Sequence, residues 1–264
     1  MNNRITIGIP TKDRLLEIGL LLESLLFQTY QNFEVIIIND CYTDCLNNTT
    51  IKSLVNVLNS IGNNVTIIKG DIKGPHIAGQ KILDNAKTEL ILRLDDDIIL
   101  RPTFIEELVK EFKDEKVGAV GPIYLNPHED IRKQKFPRTI SKEELEQLGK
   151  VFWTNNTLFL TGALQVNLHP TSDPVSVEHL NSGFLYRKSV GQKIGGYCLD
   201  FSIVGHREES DFSYRMYKSG YKLLVIPTAI ALHAHPMTGG IRETQGNHHQ
   251  KTNWDHDEKI FLER

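Results

Sequence analysis

Apolar positions in the first half of the chain fall into two alternating kinds of run. RITIGIP (4–10), NFEVIIIND (32–40), NVTIIKG (64–70) and ELILRL (89–94) are short and rich in Ile and Val, the composition of buried strands. Between them, LLEIGLLLESLLF (15–27), IKSLVNVLNSIG (51–62) and HIAGQKILDNAKT (76–88) repeat their apolar residues at helical spacing. TFIEELVKEFK (103–113) adds an amphipathic helix and VGAVGPIYL (117–125) a further strand. This order predicts an α/β protein with a largely parallel sheet and helices on both faces.

The pattern loosens between Asn126 and Glu178, where prolines, a charged helix around Ser141 to Lys150 and the aromatic pair Phe152 and Trp153 suggest an excursion from the sheet. NSGFLYRKSVGQKIGGY (181–197) is turn-rich with one short apolar strand. HREESDFSYRMYKSG (206–220) opens on acids and closes on Arg215, Lys218 and Gly220, the polarity that suits a helix dipole. YKLLVIPTAIALHAH (221–235) reads as a strand pair or one bent strand. The tail after Gly239 is polar and carries His248, His249, Trp254 and His256.

Composition changes this picture little. A chain of 264 residues with 40% hydrophobic and 24% charged residues is long enough to bury a substantial core. Its net charge of -3 argues against a protein whose whole surface binds nucleic acid. Three cysteines, Cys41, Cys45 and Cys198, do not make a disulfide framework, and the expectation is a reducing, cytoplasmic setting. The greasiest stretch, 15–27, is broken by Glu17 and Glu23 and is too short to span a bilayer, which leaves peripheral membrane association open.

Chemistry enters at the strand ends, where ligands collect in parallel sheets. Three strands end on loaded residues: Pro10-Thr11 with Asp13, Asn39-Asp40, and Asp95-Asp96-Asp97. Adjacent carboxylates repel by roughly 1 kcal/mol in water and several-fold more near a low-dielectric surface. If the acids continue the strand, Asp95 and Asp97 share a face and Asp96 points away. Holding a hard divalent cation such as Mg²⁺ or Mn²⁺ rewards that repulsion; an acidic turn in solvent is the plainer alternative.

Taken in order, these segments resemble the family 2-type inverting glycosyltransferases of the GT-A fold. IGIPTKDR (7–14) resembles their opening strand and Pro-Thr-x-Asn-Arg turn. LLFQTYQNFEVIIINDCYTD (25–44) is similar to their Gln-Thr-Tyr…Asp-Asp segment, and LRLDDDIILRP (92–102) to their Asp-x-Asp motif. NSGFLYRKSVGQKIGGY, REESDFSYRMYKSGY and IPTAIALHAH follow the family's later motifs, so the likeness runs from about residue 4 to 235. It implies a Rossmann-like, mostly parallel central sheet with an acceptor-side excursion and a C-terminal tail. Residues 1–125 would form the nucleotide-sugar-binding half, 126–238 the acceptor-binding and catalytic half, and 239–264 a tail or lid.

The implied activity is metal-dependent, inverting sugar transfer from a nucleoside-diphosphate sugar, with UDP as the expected nucleotide, to an acceptor nucleophile. Carried over residue by residue, Pro10, Thr11, Arg14, Asp40, Asp95 and Asp96 would bind the donor. Asp95, Asp97 and His233 would hold Mn²⁺ or Mg²⁺, with His235 competing for the histidine place. Glu209 would be the base, one methylene longer than the family's aspartate, with Asp211 as the substitute. Without the resemblance, Glu208, Glu209 and Asp211 read as an acidic helix start. The family's Ala-Arg-Asn-x-Gly segment is replaced by Ala78-Gly79-Gln80-Lys81-Ile82, leaving Lys81 or His76 to supply positive charge.

Two other readings stand beside this one. A sugar nucleotidyltransferase also pairs acids on an α/β sheet, but it wants a glycine-rich phosphate loop where the chain has only Gly8. A catalytically inactive GT-A-like module that binds sugar or nucleotide is the third. The acceptor stays open among glycan, lipid-linked sugar, protein, small molecule and modified nucleobase, with Phe152, Trp153 and Trp254 as candidate stacking rings. Oligomeric state is open as well.

Overall fold

The computed structural model describes residues 4–42, 46–125, 138–139, 143, 147, 150–154, 157–160, 168–169, 173–181, 183–236, 238–243 and 246–264, with backbone alone at 138–139, 151–154, 157–160, 168–169, 242–243 and 246–251.

Four strands form the parallel part of the sheet. β1 (Ile5–Thr11) lies between β2 (Phe33–Asn39) and β4 (Leu90–Arg93), and β3 (Val65–Lys69) flanks β2. Both faces of β1, β2 and β4 are covered, which is why these strands read as continuous apolar runs. Alternation is visible in β2: Val35 and Ile37 join one core, Ile36 and Ile38 the other. The first core packs α1 (Leu15–Leu26), α2 (Thr49–Ser60) and α4 (Phe104–Val109) on one face through Leu21, Leu22, Ile51 and Phe104. The second packs α3 (Pro75–Asn85) on the opposite face through Ile82 and Leu83.

The rest of the main sheet is mixed. Beyond β4 come β12 (Leu185–Arg187), β6 (Val117–Leu125), β13 (Lys222–His233) and β11 (Val175–Val177). β12 is antiparallel to both β4 and β6, and β13 is parallel to β6. A short strand, β5 (Ile98–Leu100), pairs antiparallel with the end of β13. The 221–235 segment is therefore one bent strand. Its register against β6 shifts between Val225 and Ile230, across Pro227, which has no N–H for the ladder.

Two small pairings complete the strands: β7 (Arg138–Thr139) with β10 (Leu168–His169), and β8 (Val151–Thr154) with β9 (Thr157–Leu160). The side chains of Phe152 and Trp153 lie outside the described residues. α5 (Lys188–Lys193) follows β12, and α6 (Glu208–Lys218) carries the acids of the REES segment. The tail forms α7 (Gly240–Glu243) and α8 (Gly246–Leu262).

α8 is more than a polar tail. Phe261 is buried with Phe201 and Cys198. Asp257, fully buried, accepts hydrogen bonds from Ser202 N (2.6 Å), Ser202 Oγ (2.8 Å) and His206 N (2.8 Å). Glu258 accepts from Arg207 Nε at 2.8 Å. The last turns of the chain thus brace the loop that leads into α6. Cys41 is disulfide-bonded, contrary to the expectation of reduced thiols, while Cys198 is free and buried. Among the described residues no helix is long and apolar enough to cross a membrane.

Candidate active site

β4 stops at Arg93, and Leu94 N–H still donates to Gly8 O at 2.9 Å before the chain turns. Asp95, Asp96 and Asp97 therefore sit in a turn between β4 and β5, not on a continuing strand. β5 pairs Ile98 with His233, and Ala234 N–H donates to Asp97 O at 2.8 Å. This pairing carries a histidine 136 positions away in the chain onto the acid turn. Asp95, Asp97 and His233 end with their ligand atoms within 4.8 Å of one another. His235 is not in that group; its ring centre lies 3.6 Å from that of His233.

Asp96 does not point away from Asp97 as strand alternation would have it: the turn brings both carboxylates to Arg14. Asp96 Oδ2 accepts from Thr11 Oγ1 at 2.8 Å and its Oδ1 from Arg14 Nη1 at 3.0 Å. The same Arg14 nitrogen reaches Asp97 Oδ2 at 2.9 Å. Burial pushes Asp96 up to about 7, with Arg14 opposing and Asp97 adding to the rise. Thr11 also joins the acid turn to β2, because its carbonyl accepts from Asp40 N–H at 2.9 Å. Asp40 is buried, and its Oδ1 accepts from Ile72 N–H at 2.8 Å. A Cβ on Gly70 would stand 1.8 Å from that oxygen, so glycine is what leaves room for the carboxylate. Pro10, beside Thr11 at the end of β1, is opposite Ile38.

Glu209 reaches the site through a residue that motif reading passes over. Arg93 is 1% exposed, and its Nη1 contacts both Asp95 Oδ1 and, at 3.2 Å, Glu209 Oε1. Nη2 donates to Glu208 Oε1 at 2.8 Å. The sequence does hold a signal: a lone arginine in ELILRL, on a strand covered on both faces, has to find buried carboxylates. Burial raises the Glu208 pKa well above the carboxylate range, and the neighbouring Glu209 charge adds to it while Arg93 opposes. Asp211 does not join this group. It is held by Arg215 Nη2 at 2.7 Å and Arg264 Nε at 3.3 Å.

Neither candidate replacement for the missing arginine is a free cation in the site. Burial lowers His76 to about 4, so it is neutral near pH 7. Lys81 pairs with Asp71 at 3.0 Å, and its charge reaches Asp40 only as a weaker stabilising influence. Gly79 and Ile82 have packing roles instead. A Cβ on Gly79 would meet the Tyr197 ring at 2.8 Å, and Ile82 fills the space that Gly8 leaves open in β1.

The residues present suit a divalent cation. Carboxylates outnumber guanidiniums here: Asp95, Asp96, Asp97, Glu208 and Glu209 share Arg14 and Arg93, although burial pushes Asp96 and Glu208 toward their neutral forms. Asp97 Oδ1 and His233 Nδ1 are buried and make no hydrogen bond; His233 Nε2 is 3.2 Å from Asp97 Oδ1 but not aligned for one. Burial pulls the His233 pKa down, and the Asp97 and Asp95 carboxylates outweigh it, for a net rise. Two carboxylates and an imidazole form a donor set compatible with Mn²⁺.

The profile of the family described as Glycosyl transferase family 2 matches residues 6–169. Among solved structures, the mannosyltransferase PcManGT from Pyrobaculum calidifontis, in complex with GDP-Man and Mn²⁺, superposes with a TM-score of 0.64 at 15% identity, covering 99% of this chain and 65% of that one. GalNAc-T7 with UDP, GalNAc and Mn²⁺ gives 0.64 at 15% identity, covering 89% of this chain and 44% of that one. S. aureus TarS 1-349 in complex with UDP-GlcNAc gives 0.61 at 14%, covering 90% and 60%. The chain therefore spans about two thirds or less of the length of these proteins. No curated protein matches it in sequence. The profile covers more than half of the chain and the shared sheet supplies the architecture, so this chain belongs to glycosyl transferase family 2 and carries the GT-A fold.

Proposed function

We propose that the protein is a metal-dependent, inverting glycosyltransferase that moves a sugar from a nucleoside-diphosphate sugar to an acceptor nucleophile. The observation that carries this is the convergence of Asp95, Asp97 and His233, with Glu209 tied to the same turn through Arg93. Asp40, buried and anchored on one oxygen by Ile72 N–H, is placed to accept from an imide N–H with the other, which favours uridine as the base. Pro10 and Thr11 line that end of the site, and Arg14 holds Asp96 and Asp97 beside the diphosphate position. The nucleotide sugars and Mn²⁺ bound by the structurally similar proteins support this reading.

Asp97, His233 and Asp95 would hold the cation. When bound it supplies charge neutralisation to the diphosphate leaving group. Glu209, about a quarter exposed, would take the proton from the acceptor nucleophile as it attacks the sugar from the face opposite the departing diphosphate. Asp211, locked to two arginines, is the poorer base. In this reading residues 1–125 serve the donor, 126–238 the acceptor, and 239–264 brace the loop before α6. The nucleotidyltransferase alternative loses ground because Gly8 accommodates Ile82 and does not open a phosphate loop.

The test is a thermal-shift screen of UDP- and GDP-sugars with and without Mn²⁺, followed by donor hydrolysis assays. A Mn²⁺-dependent stabilisation by UDP-sugars, lost in Asp97→Ala, supports the reading. Stabilisation by no nucleotide sugar under any metal condition would sink it. Stabilisation without turnover would favour the inactive binding module.

A further inference from the structure

Arg93 gathers three carboxylates from two elements. Its Nη2 holds Glu208, which is 1% exposed. The second terminal nitrogen reaches Asp95 and Glu209, whose side chains are 25% and 23% exposed. The guanidinium is planar and rigid, so the three acids are held at the spacing of its fork. One of them belongs to the cation-binding turn after β4 and another to the first turn of α6, two elements far apart in sequence. Tyr124, fully buried and hydrogen-bonded to Gly183 O at 3.2 Å, lies against the His233 ring.

We infer that Arg93 is a positioning residue for catalysis: its guanidinium sets the separation between the cation ligand Asp95 and the base Glu209. The inference rests on the glycosyltransferase reading above. A separation fixed in this way keeps the acceptor's proton-accepting group in register with the leaving diphosphate, wherever the chain ends of β4 and α6 fluctuate. Lysine at this position would keep the charge but present a single point, unable to hold three carboxylates in one plane.

The test compares the wild-type protein with Arg93→Lys and with the double variant Arg93→Met/Glu208→Gln, which removes the buried charges as a pair. Mn²⁺ affinity is read by electron paramagnetic resonance of the free ion, without turnover, and kcat and donor KM by initial rates. For Arg93→Lys the expected result is Mn²⁺ affinity and kcat each lower by about 10- to 100-fold, the range for residues that orient metal ligands, with donor KM at saturating Mn²⁺ changed far less. The double variant is expected to regain thermal stability but neither affinity nor kcat, and it carries the test if Arg93→Lys does not fold. Wild-type Mn²⁺ affinity and kcat in either variant would overturn the inference and leave Arg93 as a buried structural partner of Glu208. A wild-type protein that binds no Mn²⁺ would overturn both this inference and the functional reading beneath it.

Discussion

A carboxylate in a dry site stays ionised only beside a cation, and Asp96 shows how narrowly that balance is struck. Burial raises it to about 7 even though Thr11 and Arg14 both bond to it. Arg14 is the nearest positive charge, so Arg14→Ala should destabilise the metal-free protein by about 2 kcal/mol, below the range for a fully buried pair because Arg14 is 20% exposed. Saturating Mn²⁺ should recover part of that loss, as a difference in melting temperature would show; equal losses with and without the ion would count against a shared charge balance. At the proposed base, Glu209→Gln should leave Mn²⁺ and nucleotide binding near wild type while lowering kcat by at least ~10²-fold. The three aspartates are legible in the sequence because a run of acids inside apolar residues is a local anomaly. The need of Arg93 for buried acids is legible too, from its place in an apolar strand, but its partner is not, because Glu208 is 115 residues away and only the fold brings them together.

Elements, in turn, are placed by complementary shapes that a linear pattern hides. Gly8 interrupts an otherwise bulky strand because Ile82 of α3 occupies the space: an added Cβ would lie 2.3 Å from Ile82 Cγ2. Gly8→Ala should therefore cost about 1–3 kcal/mol. Gly8→Ala combined with Ile82→Val should cost less than the two changes summed in a denaturant-unfolding double-mutant cycle. The parallel strands and the core helix of the 15–27 stretch are readable from period and composition, whereas 221–235 reads equally as a strand pair or one bent strand. The role of α8 is not readable, since its docking relies on Asp257 accepting three bonds from one loop, on Trp254 stacking against His206 and on Phe261 in its last turn. Strand alternation does not carry over to Asp95 to Asp97, because these residues form a turn in which Asp96 and Asp97 share Arg14.

At the scale of the whole molecule, buried titratable groups set how the fold responds to acid. Burial lowers both His76 and His179 to about 4, below the usual histidine value, so the unfolded chain binds more protons between about pH 6.5 and 4. Their contribution is intact above about pH 6.5 and is lost progressively as the pH falls toward 4. Glu258 acts in the same sense: hydrogen bonds from His206 and Arg207 outweigh burial and hold it down to about 2, so its contribution is lost from about pH 4.5 downward. Asp96, Glu208 and Asp40, which burial raises, act in the opposite sense over the same range, so the histidine contribution is read as a difference: between pH 6.5 and 4 the slope of melting temperature against pH should be less positive in His179→Gln than in wild type. An unchanged slope would assign the acid response elsewhere.

The central claim is that the turn after β4, the end of β13 and the start of α6 form one cation-dependent sugar-transfer site. The most direct measurement is calorimetric titration of Mn²⁺ and UDP, together and separately, into wild-type protein and Asp97→Ala. The claim predicts that UDP binds wild type at least tenfold more tightly with Mn²⁺ present and that this gain disappears in Asp97→Ala. UDP binding that is indifferent to Mn²⁺, or a gain that survives the loss of Asp97, would contradict it.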